Sequence, residues 1–123
     1  MKRTLTPEQS KELLLMGVDR ERMTGACKTY SVTHPDGYKS LHGHTFSLAD
    51  LMELLPSEII VDRQFYDLRI RHIKDAWATQ YYNQESSYSD DLDSYQVEDE
   101  LVDALFALAK WCFKEGYIKP DAK

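Results

Sequence analysis

Apolar and charged side chains alternate along one part of the chain, in the way typical of a β-hairpin. From Tyr66 to Arg71, apolar residues occupy every second position and charged residues lie between them, a period that indicates a half-buried strand. A two-residue turn at Lys74–Asp75 would pair this strand with the next one and place Leu68 opposite Tyr81. The pattern therefore predicts a hairpin over residues 65–82. One of its faces would carry Tyr66, Leu68, Ile70, Trp77 and Tyr81.

Three other segments combine apolar periodicity with helix end signals. Thr6 and Gln9 have the spacing of a capping box, and Gly17 suits the residue after a helix end. Ser47 is an N-cap candidate, and Gly116 suits the end of the last helix. The predicted helices cover residues 7–16, 48–55 and 96–114.

The stretch between the first two helices contains a strong turn signal. Pro35 and Gly37 stand where a β-turn favours them, and aromatic and β-branched residues flank them. This indicates a second hairpin over 26–42. Together the elements predict an α+β fold, in which a small antiparallel sheet packs against the three helices.

The last helix is apolar on two sides. One stripe consists of Leu101, Leu105, Leu108 and Cys112, and a second consists of Val102, Phe106, Ala109 and Phe113. Such a helix must be covered on both sides. Either residues 1–55 wrap around it, or Val102, Phe106 and Phe113 meet another chain, as in a two-fold dimer.

Length and composition place the chain among globular proteins. Its 123 residues fit a single domain, residues 1–123, and 42% are apolar. No apolar run is long enough for a membrane span, and charged residues interrupt the N-terminal segment where a signal peptide would be apolar. We expect a cytoplasmic protein with reduced cysteines and no membrane contact.

The net charge of −6 argues against direct binding to nucleic acid. The acidity is concentrated, since residues 85–103 hold eight acids and no Lys or Arg. Such a block suggests an acidic mimic of nucleic acid that inhibits an enzyme. The helix dipole and solubility explain the same acids without that function.

Histidines are the main candidates for chemistry. His34, His42 and His44 lie close in sequence but lack the spacing of a known zinc motif. His72 is a candidate general base, and Arg69 with Arg71 a candidate anion site. No motif predicts a nucleophile, a phosphate loop or a cofactor. The enzyme hypothesis is a small metal-dependent or acid–base enzyme that uses the region of His34, His42 and His44.

Several segments match a known group of sequences. They are Leu5 to Gln9 with Gly17-Val18-Asp19, Phe46 to Pro56, the paired Tyr66 and Trp77 strands, and Leu101 to Ile118. In these the chain resembles small uncharacterised bacterial proteins, often from gut bacteria and phage-like or mobile elements. The resemblance implies a mobile-element origin and carries over no functional residue.

These observations favour a non-catalytic accessory or protein-interaction domain, with an unknown protein partner or self-association. The enzyme and the acidic mimic are the alternatives.

Overall fold

The computed structural model of the protein describes residues 1–33, 35–37, 39–83 and 92–120, with the backbone alone given for 25–33 and 39–44. Within these residues the fold is α+β, as predicted, with three α-helices and two antiparallel sheets. The helices are α1 (Pro7–Met16), α2 (Leu48–Leu54) and α3 (Leu101–Glu115), with one 3₁₀ turn at Arg20–Arg22. None of the described helices has the length and apolar character needed to cross a membrane.

The smaller sheet is the second predicted hairpin, formed by β1 (Gly25–Thr33) and β2 (Lys39–Thr45). The larger sheet has the strand order β3-β4-β5-β6. Its strands are β3 (Glu58–Val61), β4 (Gln64–Ile73), β5 (Ala76–Tyr82) and β6 (Gln96–Glu98).

The central hairpin has the predicted register. Leu68 pairs with Tyr81 and His72 with Trp77 across the two-residue turn. Lys74 takes a positive φ of 52° there, as the first central residue of a primed hairpin turn does. The alternation specified this register because a slip of one residue would move the charged side chains onto the core face.

Strand β3 was not predicted from the sequence. It is only four residues long and pairs with β4 across a turn at Asp62 and Arg63. Both turn residues have positive φ, 50° and 66°, which is the backbone of a type I′ turn. The β-branched run Ile59 to Val61 was the available signal.

Replacing Arg63 by glycine should stabilise the protein. A side chain in the left-handed region costs about 1–2 kcal/mol, and glycine is the preferred second residue of a type I′ turn. Glycine also increases the backbone entropy of the unfolded chain, which offsets part of this benefit. We therefore expect the free energy of unfolding to rise by about 0.5–1 kcal/mol. Urea denaturation measures it, with Arg63→Ala as control, because alanine removes the charge and keeps the Cβ. Equal effects of the two variants would contradict the turn assignment.

The last helix begins later than predicted. Residues 96–98, assigned to the helix from sequence, form β6 and pair with Thr79 and Trp77 of β5. Glu100 is the N-cap, and its side chain makes no capping bond. Ser94 is buried, and its hydroxyl accepts a hydrogen bond from the Tyr81 backbone N–H at 2.8 Å. Pairing with β5 holds residues 96–98 in an extended conformation, and their own sequence does not indicate this pairing.

The N-terminal segment connects the start of α2 with α3. The backbone N–H of Leu5 donates to Phe46 at 2.8 Å, and the backbone N–H of Leu48 donates to Arg3 at 2.9 Å. Lys2 reaches α3, where its Nζ lies 2.8 Å from an Asp103 carboxylate oxygen. Residues 1–5 are therefore fixed between α2 and α3.

The core lies between the sheet and the three helices. The Thr79 hydroxyl of β5 donates to the Ala104 carbonyl of α3 at 3.1 Å, both buried. Both stripes of α3 contribute to this core, which continues into α1 and α2. Its largest fully buried side chains include Tyr81, Phe46, Leu5, Leu13, Leu51, Leu105 and Leu108.

Candidate protein-interaction surface

Strand β3 lies at one edge of the larger sheet. The backbone N–H of Leu68 donates to the Ser57 carbonyl at 3.2 Å, so these two residues form a hydrogen-bonded pair. Such pairs recur at every second residue of an antiparallel ladder. It follows that Ile59 and Val61 direct their backbone groups toward β4. Glu58 and Ile60 direct theirs toward the open side of the strand.

Four side chains stand on the face of β3 and β4 that points away from the helices. Glu58 pairs with Asp67, and Ile60 pairs with Phe65, so all four share a face. Ile59 and Tyr66, which alternate with them, are buried on the other face. We call the exposed set the β3 edge patch: Glu58, Ile60, Phe65 and Asp67.

The apolar half of the β3 edge patch is exposed. Ile60 is 60% exposed and Phe65 is 54% exposed. They form a non-hydrogen-bonded pair, the type in which opposite side chains come closest together. Native proteins usually protect an open strand edge with charge, proline or a covering segment. Strand β3 is short and carries one charge, Glu58, but it also carries an exposed aliphatic side chain against an exposed ring.

The polar half of the patch is an acidic pair. Glu58 and Asp67 are both exposed and lie directly opposite each other. Like charges in this position destabilise a sheet. Within the described part of the chain, neither carboxylate is in an ion pair. The patch therefore joins an apolar pair to two carboxylates that form no ion pair. Within the described residues no strand pairs with the outer side of β3.

The predicted interface residues of α3 lie elsewhere. Val102 is 0% exposed and Phe106 is 6% exposed, and the chain's own core covers both. Phe113 is half-buried against the same core. The core of the chain itself therefore accounts for the burial of Val102 and Phe106.

A groove of about 350 Å³ lies where the C-terminal ends of the three α-helices meet. Phe113 lines it together with apolar residues of α2 and the segment after α3. Its charged lining residues are Arg22, Glu53 and Lys119. Because they include both signs, charge does not select a ligand for this groove.

The structure does not describe the side chains of three candidate histidines. His34 lies outside the described residues, as do the side chains of His42 and His44, whose backbones belong to β2. Within the described part of the chain, no three His, Cys, Asp or Glu side chains converge as a metal site would require. The hypothesis of a metal or acid–base site at His34, His42 and His44 stays a prediction.

Two of the three remaining candidates have contacts of a structural kind, and the third, Arg71, is exposed opposite Ala78. The His72 ring stacks on Trp77 with centroids 4.3 Å apart, at the end of the hairpin. The Arg69 guanidinium lies over the Tyr82 ring, 4.6 Å from its centroid. The side chains of His72 and Arg69 thus pack against aromatic rings on the neighbouring strand β5.

Two buried titratable groups meet inside the core. Burial raises the pKa of the Tyr81 hydroxyl far above its usual value, and this hydroxyl donates to the Pro56 carbonyl at 2.7 Å. Burial also raises the pKa of the Cys112 thiol to about 12. A thiol with this pKa is protonated at neutral pH and is not a nucleophile.

Part of the acidic block is engaged in the fold. Asp103 accepts hydrogen bonds from Lys2 Nζ at 2.8 Å and from Gln9 Nε2 at 2.9 Å. Glu100 accepts one from the Lys2 backbone N–H at 2.9 Å. These two acids hold the N-terminal segment on α3.

Protonation of Asp50 should destabilise the protein in acid. Burial alone would raise the pKa of Asp50, but hydrogen bonds from Ser47 and Thr24 outweigh it and hold the pKa below its usual value. The stabilisation is complete above the unfolded-state pKa of about 3.9 and is lost as pH falls through the lower folded-state pKa. We expect Asp50→Asn to cost about 1–3 kcal/mol at pH 7 and progressively less below about pH 4.

Urea denaturation between pH 7 and pH 2.5 measures this effect. Glu53→Gln is the control, since it removes an exposed carboxylate from the same helix. If Asp50→Asn retained the full pH dependence of the natural protein, Asp50 would not be its source.

The β3 edge patch was missed by sequence reasoning. Strand β3, which contains Ile60, was not predicted. The predicted alternation places Phe65 on the charged face of the hairpin, but it does not show that Phe65 has an apolar neighbour there. Glu58 and Asp67 are nine residues apart, so only the pairing of β3 with β4 reveals them as neighbours.

Comparison with known proteins found no matching family model, no curated protein of significant similarity and no solved structure that matches. The fold and the surface together define a small α+β domain with an exposed sheet edge.

Proposed function

We propose that this protein is a non-catalytic protein-interaction domain that binds a partner polypeptide at the β3 edge patch. The observation that carries the proposal is the exposed pair of Ile60 and Phe65 beside open backbone groups of Glu58 and Ile60. Exposed apolar pairs on a strand edge promote association with another chain. Extended segments that add to a sheet edge obtain affinity from main-chain hydrogen bonds.

Among the side chains that the structure describes, the titratable groups with shifted pKa values support a binding role over a catalytic one. Asp50 holds the start of α2, and Asp103 binds the N-terminal segment. Tyr81 and Cys112 lie inside the core. Each of these groups thus stabilises the fold, whereas catalytic groups with shifted pKa values lie in clefts that admit substrate.

A cytoplasmic location and a mobile-element origin belong to the same proposal. The origin rests on the resemblance described above. An accessory protein of this kind would act by occupying a partner, which requires a surface and no chemistry.

Site-specific photo-crosslinking in cells of the source organism tests the interaction. A photoreactive residue is placed at Ile60 or Phe65, with Leu15 as the matched control, because Leu15 is 79% exposed on α1. We expect one discrete protein adduct shared by positions 60 and 65 and absent at 15. Ile60→Lys should abolish the adduct at position 65. Adducts no more abundant at 60 and 65 than at 15 would contradict the proposal.

A further inference from the structure

The charges on the β3 edge patch specify the chemistry of the partner. Glu58 and Asp67 stand opposite each other, and within the described residues neither is in an ion pair. Arg69 shares this face, but its guanidinium lies over the Tyr82 ring. A strand added beside β3 would place its own side chain next to Glu58, with Asp67 one strand further away. A Lys or Arg at that position would relieve the repulsion between the two carboxylates, and an acidic residue would add to it.

The apolar half of the patch specifies a second position. Glu58 and Ile60 are two residues apart and share a face, so the side chains of an added strand that lie beside them are also two residues apart. The side chain beside Ile60 would contact it, with Phe65 behind, and should therefore be apolar. In an antiparallel addition, the apolar residue precedes the basic one in the partner's sequence.

The backbone of β3 can hold such a strand. Since Glu58 and Ile60 direct their N–H and C=O groups outward, each forms a hydrogen-bonded pair with the residue opposite. Two pairs give four main-chain hydrogen bonds. The basic and the apolar residues of the partner are then the two that form main-chain hydrogen bonds with Glu58 and Ile60.

From these three features we infer that the partner is an extended polypeptide segment with an apolar residue and a basic residue two positions later, added antiparallel to β3. The inference rests on the proposed function and names its ligand class. A second copy of this chain fits less well. Pairing β3 with itself so that Glu58 faces Ile60 of the other copy would place the Glu58 side chains of the two copies diagonal to each other, with no basic side chain opposite either.

Two matched peptides test the inference. The first is acetyl-Thr-Val-Thr-Lys-Thr-amide, whose Val and Lys would lie opposite Ile60 and Glu58. The second carries Glu in place of Lys. Each is titrated into the full chain at low ionic strength, and chemical shifts and amide exchange at Glu58 and Ile60 are followed by NMR.

We expect the Lys peptide to bind roughly 3- to 10-fold more tightly than the Glu peptide, with protection at both amides. The preference should fall with added salt. In the double variant Glu58→Gln/Asp67→Asn the two peptides should bind about equally. Both changes are confined to exposed side chains and leave the fold intact.

Equal binding of the two peptides, no binding of either, or protection away from β3 would overturn the inference. Protection of Glu58 and Ile60 that rises with protein concentration and needs no peptide would also overturn it, since the edge would then pair with itself. All these outcomes are distinct from failure of the proposed function, which is absence of the crosslinked adduct at positions 60 and 65.

Discussion

Phe106→Ala should lower the free energy of unfolding by about 3–5 kcal/mol, the range for removing a buried aromatic side chain. Phe106 is 6% exposed and belongs to the core formed by α3 and its neighbours. Its ring also lies 4.7 Å from Lys110 Nζ, and this favourable contact is lost as well. Because small domains have total stabilities of about 5–15 kcal/mol, the loss is large. Urea denaturation followed by circular dichroism measures it.

Phe65→Ala is the matched control for this experiment. The same side chain is removed, but Phe65 is 54% exposed on the outer face of the sheet, and we expect a change of at most about 0.5 kcal/mol. Binding to the partner should show the opposite order: Phe65→Ala should weaken it more than Phe106→Ala does. If Phe106→Ala cost less than about 1 kcal/mol, its stripe of α3 would not be part of the core.

Gly17→Ala should also lower the free energy of unfolding, by less than Phe106→Ala does. Gly17 ends α1 with a φ of 108°, and a Cβ added there would lie 2.5 Å from Pro120 Cβ and 3.0 Å from Pro120 Cα. The substitution strains the backbone and also displaces the segment after α3. We expect a loss of about 2–4 kcal/mol, of which the left-handed backbone accounts for about 1–2 kcal/mol. Thermal or urea denaturation gives the value.

Gly116→Ala separates the two causes. Gly116 ends α3 with a φ of 84°, and nothing lies within 4 Å of the added Cβ. It should therefore cost only the backbone contribution, about 1–2 kcal/mol. Adding Pro120→Gly to Gly17→Ala should recover part of the difference, because the nearest atom is removed. Equal losses at Gly17 and Gly116 would show that Pro120 does not rest on α1.

The elements predicted from sequence are those whose signals are local. The register of the central hairpin was predicted correctly, because the alternation of Leu68 and Ile70 with charged residues allows one register. Helix α1 was predicted because its capping box and its final glycine lie within the segment itself. In both cases a few neighbouring residues contain the physical cause of the structure.

The elements that were missed depend on distant partners. Strand β6 exists because β5 needs a neighbour, and residues 96–98 read locally as the start of a helix. The β3 edge patch arises from the pairing of Glu58 with Asp67 and of Ile60 with Phe65. The apolar middle of α3 was recognised from sequence, but whether its own chain or a partner covers it depends on the tertiary arrangement.

Amide hydrogen exchange along β3 tests the central claim, an open edge at β3, most directly. In the isolated protein, the amides of Ile59 and Val61 donate to β4, whereas those of Glu58 and Ile60 face outward. We predict that Glu58 and Ile60 exchange on the order of tenfold or more faster than Ile59 and Val61. Slow exchange at all four amides would mean that the edge is already covered, and would contradict the account.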